Sequence, residues 1–106
     1  DRGARLDFES LGRLLQRFHA EGAFHADLNA HNVMCDAAGA IWLIDFDRGE
    51  LRAPALAWQR ANLQRLARSL RKLGLDGSEF ERAWQALASG YVAAGGAEAA
   101  CTIERA

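Results

Sequence analysis

At 106 residues the chain is long enough for one hydrophobic core and too short for two domains. Half of its residues are apolar, a quarter are charged and the formal net charge is -1, the profile of an ordinary soluble globular protein rather than a disordered, collagen-like or membrane-spanning one. That balance offers no basic excess for nucleic acid and no acidic excess for a cationic partner. Because 22 of the apolar residues are alanine, the weight of the core falls on Leu, Ile, Phe and Trp. Cys35 and Cys101 stand 66 positions apart in no CxxC pattern, so a disulfide framework and a zinc finger are both disfavoured and a reducing compartment is expected. The first residues, DRGARLDFES, carry charge and no apolar signal region, and the chain opens almost directly on a helix without an initiator Met. It is expected to be part of a longer polypeptide.

In chain order, Phe8, Leu11, Leu14, Leu15 and Phe18 recur at three- and four-residue steps and predict an amphipathic helix ending at Gly22. From Ala23 to Asn32 the period disappears, and His, Asp and Asn crowd an irregular loop that begins with the apolar pair Ala23 and Phe24. Val33, Met34 and Cys35 read as a short strand and Ile41 to Ile44 as its partner across a polar turn, a β-hairpin that delivers Asp45 from its second strand. Gly49 and Pro54, the single proline, mark a break. A long helix follows from about Leu56 to Leu73, with Leu63, Leu66, Leu70 and Leu73 on one face. Ser78 and Glu81 form a capping-box signature for a last helix carrying Phe80, Trp84, Leu87 and Tyr91 to about Ala94. Gly95 and Gly96 end it before an Ala-rich tail of little information. One hairpin cannot make a sheet-based core, so the fold class is α+β, mostly helical, with the helices carrying the burial.

Chemistry concentrates in HADLNAHN, residues 25–32, and DFD, residues 45–47. Asp27, Asn32 and Asp45 bear short oxygen side chains on either side of the hairpin, which outlines a cation site. Mg²⁺ prefers oxygen ligands and usually takes one or two protein carboxylates together with substrate phosphates. Asn32 and Asp45 supply such a set and leave Asp27 as a spare carboxylate able to accept a proton from an attacking hydroxyl. The bland alternative is that these residues only shape turns, and any one of them alone would support it. Their joint spacing does not: Asp27 is two after His25, Asn32 five after Asp27, and Asp45 thirteen after Asn32.

In type and spacing these residues resemble the catalytic and metal-binding loops of the protein-kinase-like superfamily. The wider string FHADLNAHNVMCDAAGAIWLIDFDRGELR, with Trp58 and NLQRLARSLRKL at 62–73, more narrowly resembles the lipopolysaccharide core kinases, and among them the 3-deoxy-D-manno-octulosonic acid (Kdo) kinases, over about Leu11 to Leu73. The resemblance implies the C-terminal lobe of a kinase-like fold, with Asp27 as the catalytic Asp, Asn32 and Asp45 as Mg²⁺ ligands and His25 as a structural support of the loop. It also implies ATP as co-substrate and the 4-hydroxyl of Kdo on lipid A as acceptor. The place of work would be the cytoplasmic face of the inner membrane, with peripheral attachment and no role for nucleic acid.

Departures from the pattern shape the expectation. Ala26 stands where protein kinases commonly have Arg, and Asp47 replaces the Gly of the usual DFG, adding a carboxylate near the metal ligands. No GxGxxG precedes residue 25, and Lys72, the only lysine, comes well after the catalytic loop. No residue is therefore assigned to nucleotide binding, and the 106 residues, read as a single kinase-like lobe, are expected to be inactive alone. Competing readings are another small-molecule kinase of the aminoglycoside or choline type, and a non-catalytic remnant serving as a binding module. Zinc is disfavoured: His19, His25 and His31 fall six apart, wider than paired zinc ligands, and His19 belongs to the first helix. Between Arg48 and Lys72 seven basic residues face one acid, Glu50; a solvated helix face explains most of them, and attraction to lipid A phosphates or the membrane surface is the functional alternative.

Overall fold

The computed structural model describes residues 7–24, 28, 33–35, 41–43, 50–51, 53, 55–75 and 77–102. Its elements run α1 (Phe8–Ala20), β1 (Ala23–Phe24), β2 (Val33–Cys35), β3 (Ile41–Leu43), β4 (Glu50–Leu51), α2 (Leu56–Lys72) and α3 (Gly77–Ala93), followed by a 3₁₀ turn at Glu98–Cys101. The chain is mostly helical, as its periodicity predicts.

Asp7 caps α1, its carboxylate accepting from the backbone N–H of Glu9 at 3.1 Å and from the Ser10 hydroxyl at 2.9 Å. Leu11 and Leu15 are fully buried. The helix stops at Gly22, whose φ of 81° lets its N–H turn back to the His19 carbonyl at 3.0 Å.

α1 and α3 form the principal helix pair. They approach so closely that glycine is required on both sides. A Cβ on Gly12 would overlap the Leu87 carbonyl, and one on Gly90 would overlap the carbonyl of Glu9. Around this crossing Leu11, Leu15, Leu87 and Tyr91 are buried, and Leu63, Leu66 and Leu70 complete the core from α2. Leu73 does not join them as its spacing suggests. It follows the last helical residue and is 57% exposed, because the apolar stripe of α2 ends where the helix ends.

Two findings were not visible as periodicity. The pair Ala23 and Phe24, read from sequence as the start of an irregular loop, forms β1 and pairs antiparallel with β4, Ala23 opposite Leu51 and Phe24 opposite Glu50. The expected hairpin is present as β2 and β3, with Val33 opposite Leu43. The Ala-rich tail is also structural. Ala100 and Cys101 are buried, the Trp84 indole N–H donates to the Cys101 carbonyl at 2.8 Å, and Arg60 Nε donates to the Thr102 carbonyl at 3.0 Å. The tail thus packs against both α2 and α3.

Candidate active site and relatives

The candidate residues His25, Asp27, Asn32, Asp45 and Asp47 lie outside the described residues; the strands and side chains that flank them do not. β1 leads directly into His25, and β4 follows the segment that holds Asp45 and Asp47. The β1–β4 pairing therefore joins the approach to one segment to the exit from the other. Asn32 is bonded to Val33, the first residue of β2, and Asp45 follows Leu43, the last of β3, by two. Val33 and Leu43 are partners in the ladder, so a single end of the hairpin serves both. Leu28, next to Asp27 in sequence, is fully buried in the hydrophobic core. Burying one leucine side chain is worth about 1.5–3 kcal/mol, enough to fix the chain at that point.

The described residues hold a second polar group that no local spacing predicts. His19 is fully buried at the end of α1. Its Nδ1 lies 2.7 Å from the Tyr91 hydroxyl of α3 and its Nε2 lies 3.1 Å from Asn62 Oδ1 of α2. Since a carbonyl oxygen only accepts, Nε2 carries the proton and donates to Asn62, leaving Nδ1 to accept from the tyrosine. The ring meets Trp58 edge-on at 5.1 Å and Tyr91 at 5.6 Å. Desolvation holds the imidazole below its usual pKa, partly opposed by the bond to Asn62. Both ring nitrogens are committed to protein partners, which removes His19 from any zinc set.

Burial also quiets the neighbouring groups. It pushes the Tyr91 hydroxyl above the usual tyrosine range and the Cys101 thiol up to about 11, with Glu98 adding to the latter, so Cys101 is an inert core residue. Among the described residues no three His, Cys, Asp or Glu side chains gather as a metal site, and no helix is long and apolar enough to cross a membrane.

In sequence, the buried Leu28 and the paired strand ends Val33 and Leu43 lie beside the candidate residues. The lipopolysaccharide kinase (Kdo/WaaP) family profile matches residues 1–91. The chain belongs to this family. Among curated relatives, the 3-deoxy-D-manno-octulosonic acid kinase of Xylella fastidiosa is 61% identical over 66 residues, covering 62% of this chain and 26% of the relative. The enzymes of the same name from Xanthomonas campestris and Stenotrophomonas maltophilia are 59% and 60% identical over 71 residues, 67% of this chain and 28% of each relative. The chain thus spans about a quarter of the length of these Kdo/WaaP relatives, and the family match stops at Tyr91, before the tail that packs against α2 and α3.

Proposed function

We propose that the chain is the catalytic lobe of a kinase-like enzyme that transfers the γ-phosphoryl group of ATP to the 4-hydroxyl of Kdo on Kdo-lipid A, in lipopolysaccharide core synthesis. The observation that carries this reading is the family match over residues 1–91. It coincides with the spacing of Asp27, Asn32 and Asp45 around a hairpin with Val33 and Leu43 at its shared end.

In this reading Asp27 accepts the proton of the sugar hydroxyl as it attacks, and its buried neighbour Leu28 fixes the backbone from which it acts. Asn32 and Asp45 are the oxygen donors that would hold Mg²⁺, and their chemistry suits that ion. When bound, the ion neutralises phosphate charge and orients the transferring group. His25 supports the loop, and Asp47 adds a nearby carboxylate in place of a glycine. The nucleotide-binding lysine of such kinases is not furnished by Lys72, which ends α2. A separate N-terminal lobe would supply it.

The acceptor is anchored in a membrane, and α2 offers the matching electrostatics. It carries five basic residues and no acid, with Arg65, Arg68 and Lys72 exposed on the side opposite its buried leucines. We place this face toward the anionic cytoplasmic surface of the inner membrane, where each basic residue near the lipid contributes about 1 kcal/mol of attraction.

The test of the site is a set of variants in the product of the complete reading frame that contains this chain. Asp27→Ala is expected to lower turnover on Kdo-lipid A by about 10²–10⁴-fold. Asn32→Ala and Asp45→Ala should instead raise the Mg²⁺ concentration needed for half-maximal rate. Unchanged turnover in Asp27→Ala would remove that residue from the reaction.

A further inference from the structure

The His19 cluster is more than a filled core position, because the two strands that frame the candidate loops are both rooted in it. On the α1 side, the His19 carbonyl accepts the Gly22 N–H at 3.0 Å, and Gly22 turns the chain within one residue into β1. The same carbonyl accepts from Gln59 Nε2 of α2 at 3.3 Å. On the other side, the Trp58 indole packed against the His19 ring donates to the Ala53 carbonyl at 2.9 Å, two residues beyond β4. The ring itself is held by Asn62 of α2 and Tyr91 of α3.

We infer that His19 is a positioning residue for phosphoryl transfer: its ring, clamped between α2 and α3, anchors the end of α1 whose carbonyl holds the turn into β1 and packs the Trp58 indole that holds the exit from β4, and through these two strands it positions the catalytic and metal-binding segments. The inference rests on the proposed function for its catalytic consequence, and on geometry alone for its mechanical one. It carries a dependence on protons. Protonating Nδ1 would turn an acceptor into a donor, force the Tyr91 hydroxyl to exchange its role, and place a charge in a dry environment. The groups facing the ring are Trp58 and Asn62 from α2 and Tyr91 from α3, with Cys101 of the 3₁₀ turn next to Tyr91. The two titratable ones stay neutral, and among the described residues no carboxylate faces the ring to balance the charge.

The experiment compares amide hydrogen exchange and steady-state kinetics for wild type, His19→Leu and His19→Gln in the product of the complete reading frame. His19→Leu keeps the bulk and removes both ring bonds. It should speed exchange at Ala23, Phe24, Glu50 and Leu51 by about tenfold while leaving the α1–α3 crossing at Leu15 and Leu87 protected. kcat should fall with little change in the KM for ATP, and the acid limb of the kcat profile should disappear. His19→Gln retains an amide donor for Asn62 and should recover most of the rate. Unchanged ribbon exchange in His19→Leu, or a rise spread equally over all three helices, would overturn the inference. If His19→Leu does not fold, Tyr91→Phe removes only the bond to Nδ1 and should raise exchange at the same amides by about threefold. A wild-type product without phosphotransfer contradicts the proposed function, and the exchange data still decide the role of His19.

Discussion

Among the described residues, the buried imidazole of His19 ties stability to pH. His19 is held below its ordinary pKa of 6.5 by desolvation, so the folded state binds its proton less readily than the unfolded chain does. Its contribution to stability is therefore complete above about pH 6.5 and is lost as the pH falls from there toward the lower folded value. Urea midpoints measured from pH 8 to pH 5 are expected to fall across that window, and His19→Gln should flatten the fall. A second residue-scale expectation concerns Leu28: Leu28→Ala empties a fully buried position and should cost about 2–5 kcal/mol by chemical denaturation. The sequence places His19 on α1 through helical spacing, but its partners Asn62 and Tyr91 are 43 and 72 residues away, and nothing local to any of the three signals their meeting. The candidate residues Asp27, Asn32 and Asp45 are the reverse: their spacing is legible because it falls within one short stretch of sequence, a polar loop and the hairpin that follows it.

At the scale of elements, the α1–α3 crossing depends on two glycines whose added Cβ atoms would collide with backbone carbonyls, which cannot rotate away as a side chain would. Gly90→Ala is expected to destabilise the fold by about 1–3 kcal/mol or more, read as a lowered urea midpoint at unchanged m-value. Ser89→Ala, at an exposed position of the same helix, should be near neutral by comparison. The three helices and the β2–β3 hairpin are readable from sequence because each is long enough to show a period or is bracketed by turn residues. The β1–β4 ribbon is not, since strands of two residues have no period and their pairing bridges the whole hairpin. The tail escapes for a different reason: its hold on the core comes from the carbonyls of Cys101 and Thr102, which every sequence possesses. A buried tryptophan N–H such as that of Trp84 does require an acceptor, and that demand is the one sequence-level hint that another segment must cover α3.

Across the whole molecule, charge is unevenly divided. α2 carries five cations and no acid although the chain as a whole has a formal net charge of -1. Co-sedimentation with vesicles containing anionic lipid should therefore exceed that with neutral vesicles and decline with added salt, and Arg68→Glu with Lys72→Glu should abolish the difference. Phosphorylation of the Kdo sugar is tested most directly by following radiolabelled γ-phosphate from MgATP onto Kdo-lipid A, using the product of the complete reading frame. The expected result is one labelled phosphate ester on the Kdo residue, absent when lipid A lacks Kdo and absent in Asp27→Ala. No transfer to Kdo-lipid A, or equal labelling in Asp27→Ala, would contradict it.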